Sequence, residues 1–90
     1  MHILVLDDHE MNRKLIRACL EAEGFTVTTA EDGVEGLDTL EKQKFDAIIS
    51  DILMPRMDGY AFCHEVRQSQ SFHAIPFIFY TATYTSASDE

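Results

Sequence analysis

The apolar runs in this chain stop at acids or at a hydroxyl. Residues 2–6, His-Ile-Leu-Val-Leu, end at Asp7 and Asp8. Residues 45–50 end at Asp51, and residues 76–80, Pro-Phe-Ile-Phe-Tyr, end at Thr81. A further run, 25–30, is rich in Thr and Val. Short runs that are apolar without alternation suit strands covered on both faces, as in a parallel sheet.

Between the runs the spacing turns helical. Over 10–23, Leu15, Ile16, Cys19 and Leu20 share one stripe, and Gly24 follows as a stop signal. The turn Glu31-Asp32-Gly33 leads into a second helix over 34–43, with Val34, Leu37 and Leu40 in register. Asp58 is placed to cap a third helix over 59–69, after a loop holding Pro55. The tail 82–90 is small and polar, and reads as a loop or the start of a fourth helix at Ser88-Asp89-Glu90. The resulting order, β-α-β-α-β-α-β, predicts an α/β fold with an open parallel sheet and right-handed crossovers. Ninety residues allow one small domain, 1–90, and there is no repeat or linker within it.

Charge narrows the partners. Sixteen acids against seven Lys and Arg give a formal net charge of −9, which disfavours nucleic acid and anionic membranes as ligands of this chain. No apolar run approaches the roughly 20 residues of a membrane span. The start lacks the basic residues and longer apolar stretch of a signal peptide. Cys19 and Cys63 form no CxxC, so reduced thiols and a cytoplasmic location are expected. Both read as small core residues on helices that cover opposite faces of the sheet, which argues against a disulfide between them.

The polar residues at the strand ends carry the chemistry. Open parallel sheets bind ligands outside the carboxyl ends of their strands, where the strand order reverses. For the order 2-1-3-4 that point lies between the first and third strands. Neighbouring strands are about 4.8 Å apart, so Asp7, Asp8 and Asp51 crowd one pocket. Crowded carboxylates repel one another and push one of their number towards the neutral form. A divalent cation relieves that repulsion. An all-oxygen set of this size suits Mg²⁺, commonly held by one or two carboxylates together with waters and a substrate phosphate. A single acid at a strand end is more often a solvated loop residue; the convergence of four polar positions on one switch point argues for a site.

Taken in order, strand-Asp7-Asp8, strand-Asp51, the segment Met54-Pro55-Arg56-Met57-Asp58-Gly59 and strand-Thr81-Ala82 resemble the receiver domain of response regulators. The resemblance extends along the whole chain, and Asp-Ile-Leu-Met-Pro-Arg-Met-Asp-Gly is its most specific stretch. It implies a flavodoxin-like, doubly wound sheet of order 2-1-3-4. It also implies a phosphoacceptor at Asp51, Mg²⁺ bound directly by Asp8, Asp51 and the main-chain carbonyl of Leu53, and Asp7 acting mainly through water. Thr81 and the backbone N–H of Ala82 would hydrogen-bond the phosphoryl oxygens. The phosphodonor would be a histidine kinase or a histidine phosphotransfer protein, and the domain a switch for an output rather than an enzyme.

One family feature has no counterpart. Receivers carry a Lys at the end of a fifth strand, whereas this chain has only Lys14, Lys42 and Lys44, none placed for that role. The fifth strand and last helices are absent as well, so the pattern reads as a receiver cut short at its C-terminal side. The uncovered fourth strand then predicts a homodimer or swapped assembly. A pseudo-receiver, with the fold but no phosphoryl chemistry, is the alternative that the missing Lys supports and that Asp8, Asp51 and Thr81 oppose. A flavin-mononucleotide protein of similar fold would need a Ser/Thr/Gly-rich phosphate loop after the first strand, where two acids stand instead.

Other features carry less. His64-Glu65 opens like a zinc HExxH motif, but residue 68 is Gln68. His2 and His73 match no metal spacing. His9 follows the acid pair and could tune the site as a base, although at a helix start an exposed His is the commoner case. Arg56 reads as a solvated loop residue. The alternation of Phe77 and Phe79 with Ile78 and Tyr80 reads as strand packing.

Overall fold

The computed structural model describes residues 1–81, so the expected tail helix and Ala82 lie outside the described residues. Strands β1 (His2–Leu6), β2 (Thr26–Ala30), β3 (Ala47–Asp51) and β4 (Phe77–Tyr80) alternate with helices α1 (Glu10–Ala22), α2 (Gly33–Lys42) and α3 (Gly59–Gln68). The strands form one parallel sheet in the order β2-β1-β3-β4, the order expected from the sequence.

Three strands begin one or two residues later than the apolar runs. The Phe25 N–H turns back to the Leu20 carbonyl, 3.2 Å away, and closes α1 instead of entering the ladder. The aromatic ring of Phe45 fills the core, while the carboxylate of Asp46 accepts from the His2 N–H at 2.7 Å. Pro76 has no N–H to offer, although its carbonyl accepts from Ile48 at 2.9 Å. Asp51 belongs to β3 itself, as its last residue.

The alternation of side chains along β1 divides the core into two layers. Leu4 and Leu6 join Ala30, Leu40, Phe45, Ile48, Phe62 and Val66 under α2 and α3. Ile3 and Val5 join Val27 and Ala47 on the other face, covered by Ile16 and Leu20 of α1. Helix α1 buries none of its residues completely. The expected stripe is therefore corrected: Leu15 is 65% exposed and Cys19 is exposed. A helix turns about 100° per residue, so the sheet meets Ile16 and Leu20 while the edge of the stripe at Leu15 and Cys19 faces away. Cys63 is half-buried on α3, and both thiols are free.

Local signals explain the helix boundaries. Gly24 takes φ +95° and ends α1 in a conformation that costs a side-chain-bearing residue far more. Asp32 and Asp58 cap α2 and α3, accepting from the N–H groups of Glu35 at 2.9 Å and Ala61 at 2.8 Å. Among the described residues no helix is long and apolar enough to cross a membrane.

Candidate functional site

The parallel register places the polar strand ends side by side. Leu6 of β1 pairs with Ser50 of β3, so Asp7 and Asp51 leave adjacent strands at one level. Asp51 in turn pairs with Tyr80 of β4, which brings Thr81 to the same edge. Asp7 is fully buried and Asp51 is 1% exposed. Asp8 is half-buried, and the exposed Thr81 stands at the rim.

Asp7 is held on both of its oxygens. Oδ1 accepts the His9 N–H at 2.8 Å, and Oδ2 accepts the Tyr80 hydroxyl at 2.5 Å. Its main chain is fixed too: the N–H donates to the Ala30 carbonyl at 3.1 Å, and the carbonyl accepts Arg13 Nη1 at 2.7 Å. Asp8 differs. Its Oδ1 is buried and accepts no hydrogen bond, its nearest basic atom being His9 Nδ1 at 3.2 Å. Asp7, Asp8 and His9 present ligand atoms that all lie within 4.8 Å of one another.

Asp51 is presented by its loop. Its Oδ1 accepts the Leu53 N–H at 3.3 Å. The Ile52 N–H donates to the Tyr80 carbonyl at 3.0 Å, and the Ile52 carbonyl accepts the Gly59 N–H at 2.8 Å. Leu53 is 54% exposed; with Asp8, His9, Met54, Pro55 and Asp58 it lines an open hollow over the acids. A larger hollow of about 540 Å³ lies among Leu40, Lys42, Lys44, Phe45, Phe72 and Ile75. It sits at the opposite end of the sheet and contains none of the converging acids.

These residues fit a hard divalent cation. The set is rich in carboxylate oxygen, as Mg²⁺ requires, and the buried Asp8 Oδ1 is left without a hydrogen-bond donor. Such an atom is costly to bury uncompensated, and a cation would satisfy it.

The structure adds to three sequence readings. Arg56 is the exposed loop residue expected, but it also pairs through Nη2 with Oδ2 of Asp32, which is 2% exposed. Burial opposes the charge on Asp32, but the Glu35 N–H and the Arg56 guanidinium outweigh it and hold its carboxyl below the usual range. Arg56 also adopts φ +65°, a left-handed conformation unusual for a side-chain-bearing residue. Tyr80 is the second. Its hydroxyl reaches past β3 to Asp7 and comes within 3.5 Å of the Leu6 carbonyl. Burial, the bond to Asp7 and the nearby charges of Asp7, Asp51 and Asp8 all push its phenol upward. His9 is the third, since it joins the acid cluster although its side chain is 66% exposed. Two of them gave a signal in the sequence, His9 by following the acid pair and Tyr80 by lying directly before Thr81.

Comparison with known proteins agrees with this geometry. The chain is 44% identical over 85 residues to the sensor histidine kinase CheAY of Helicobacter pylori; that stretch covers 92% of the chain and 11% of the kinase. The chain thus spans a small part of the curated relatives it matches. Among solved structures it superimposes on the chemotaxis response regulator CheY4 of Vibrio cholerae with a TM-score of 0.86 and 38% identity, over 94% of this chain and 70% of that one. It superimposes equally well, with a TM-score of 0.85 and 34% identity, on the receiver domain of a sensor histidine kinase of Pseudomonas aeruginosa PAO1; the match covers 91% of this chain and 67% of that one. That structure has a magnesium ion coordinated in its active-site cleft. The family model described as the response regulator receiver domain matches residues 3–89, and the chain belongs to that family.

Proposed function

We propose that this chain is the phosphoacceptor module of a two-component pathway, receiving a phosphoryl group on Asp51 from a phosphohistidine of a kinase or phosphotransfer protein. The observation that carries the reading is the placement of a buried Asp51 beside Asp7 and Asp8 at the strand-order reversal.

In this reading an oxygen of the Asp51 carboxylate attacks phosphorus. The phosphorus–oxygen bond of an acyl phosphate forms, the phosphorus–nitrogen bond of the donor breaks, and the imidazole leaves with a proton from solvent. The chain's residues mainly position the acceptor, as phosphoryl transfer requires. The Leu53 N–H orients Asp51 Oδ1. Asp8, with Asp51 and the Leu53 carbonyl, would hold Mg²⁺, and Asp7 would act through a bound water. The cation, when bound, neutralises charge on the transferring group. Thr81 stands at the edge of the site, where its hydroxyl can turn to the new phosphoryl oxygens, and Ala82 follows it with a backbone N–H.

No described lysine shares this task. Lys14 pairs with Glu10 on α1 and Lys42 with Asp38 on α2, while Lys44 precedes β3 at the far end of the sheet. Labelling should depend on the cation.

The test is incubation with a small-molecule phosphodonor, with and without Mg²⁺. One acid-stable, base-labile phosphoryl group is expected in wild type with Mg²⁺, and none in Asp51→Asn. Undiminished labelling of that variant would overturn the assignment. Absence of labelling in wild type, with Mg²⁺ bound, would favour an interaction module without phosphoryl chemistry.

A further inference from the structure

The two acids that follow β1 are unequal before any metal arrives. Asp8 keeps a buried oxygen that accepts no hydrogen bond, whereas Asp7 has a donor on each oxygen. One donor, the His9 N–H, is local to the turn. The other comes from the far side of the sheet: Tyr80 stands on β4, two strands from β1, and its side chain crosses the end of β3 to reach Asp7 Oδ2 at 2.5 Å. The register pair Asp51–Tyr80 sets that crossing, so the phenol lies over the same strand ends as the three carboxylates.

A hydrogen bond from a neutral donor to a carboxylate is charge-assisted and stronger than a neutral one. It draws electron density from the oxygens that a cation would use, and it fixes the carboxylate's orientation. We propose that Tyr80 is a positioning residue of the acid site: by holding Asp7 Oδ2, it reserves Asp7 for an indirect, water-mediated role and leaves direct coordination to Asp8. This rests on the Mg²⁺ site of the proposed function and supplies a physical cause for the division of roles between the two acids. Tyr80 also becomes a reporter of occupancy, because the field at its hydroxyl changes when a cation enters among the acids.

The experiment measures Mg²⁺ affinity by calorimetry, and the near-ultraviolet tyrosine spectrum in the same titration. The chain has no Trp to mask that spectrum. Wild type, Tyr80→Phe, Asp7→Asn, the double variant and the exposed-ring control Tyr60→Phe are compared, with circular dichroism to show that each is folded. Without its donor, Asp7 presents more negative charge, so Tyr80→Phe should bind Mg²⁺ more tightly, by about three- to tenfold for part of a charge-assisted bond. In the Asp7→Asn background the same change should have little effect. A saturable tyrosine difference spectrum should accompany Mg²⁺ binding in wild type and in Tyr60→Phe, and vanish in Tyr80→Phe. The wild-type spectrum alone tests the inference if Tyr80→Phe fails to fold, since a silent spectrum during measurable Mg²⁺ binding overturns it. Equal affinities for wild type and Tyr80→Phe, or equal effects of Tyr80→Phe with and without Asp7, overturn the role of Tyr80 and leave the metal site standing. No Mg²⁺ binding by wild type at all overturns both.

Discussion

The α-carbon of Gly59 lies against the main-chain carbonyl of Asp51, with no room for a side chain between them. A Cβ at Gly59 would overlap that oxygen and come within 3.0 Å of the Ile52 α-carbon. The first residue of α3 therefore abuts the last residue of β3, and the loop that joins them is folded back over the acids. Gly59→Ala should push the loop off its seat. A loss of stability of about 1–3 kcal/mol is expected for an overpacked backbone contact, together with weaker labelling of Asp51. Chemical denaturation measures the first and phosphodonor incubation the second; a variant unchanged in both would show that the loop yields freely.

Arg56, within that loop, ties it to the N-cap of α2. It combines an ion pair to the buried Asp32 with a left-handed backbone, two features that can be separated. Arg56→Ala loses the pair and keeps the strained φ, whereas Arg56→Gly loses the pair and relieves the strain. Arg56→Gly should be the more stable of the two, as read from the midpoints of denaturant unfolding. The reverse order would mean that the loop changes conformation once the guanidinium is gone.

The same pair sets a pH dependence. Asp32 titrates below its ordinary value of 3.8 in the folded chain. A carboxyl with a lowered folded pKa contributes stability that is fully present above its unfolded pKa, and loses it as pH falls through the folded value. The stability difference between wild type and Asp32→Asn should thus be constant from neutral pH down to the ordinary carboxylate range, then shrink below it. Asn still caps α2, so the comparison isolates the charge. A difference that grows on acidification would contradict the ion pair.

The acids at the site make unequal demands on a metal. Mg²⁺ should bind weakly, because it gives up its waters reluctantly and the ligands are few. Asp8→Ala should weaken it more than Asp7→Ala, since Asp8 Oδ1 accepts no hydrogen bond and Asp7 is bonded on both oxygens. Calorimetric titration of the two variants decides the order, and a larger loss at Asp7 would reverse their roles.

What the sequence made legible is what depends on short range. Short strands, Gly24 at a helix end and the caps Asp32 and Asp58 follow from local chemistry, and the parallel order follows from the alternation of strands with helices. The convergence of Asp7, Asp8 and Asp51 needs only the strand order in addition. The partners that were missed are those that depend on reach. Arg56 and Tyr80 have long side chains, and their partners, Asp32 and Asp7, are 24 and 73 residues away in the chain. Periodicity found the apolar stripe of α1 but not its covered edge, because a single helix against a sheet partly covers Ile16 and Leu20 and leaves Leu15 outside.

Strand β4 presents the last relationship with a measurable consequence. It pairs with β3 along one side, and among the described residues no strand lies along the other. Its sequence is Phe-Ile-Phe-Tyr, with Ile78 54% and Phe79 37% exposed. An apolar edge of this kind, with free N–H and C=O groups, is a template for pairing with another chain. Each apolar side chain left in water forgoes roughly 1.5–3 kcal/mol, against a total stability of only about 5–15 kcal/mol for a domain. The polypeptide of residues 1–90 is therefore expected to self-associate through this edge, or else to unfold with low cooperativity when diluted. Ile78→Lys places a charge on the edge and should suppress association. Sedimentation over a range of concentrations, with circular dichroism on the same samples, makes the measurement. A cooperative monomer at every concentration, unaffected by Ile78→Lys, would show that the exposed edge costs less than its apolar area implies.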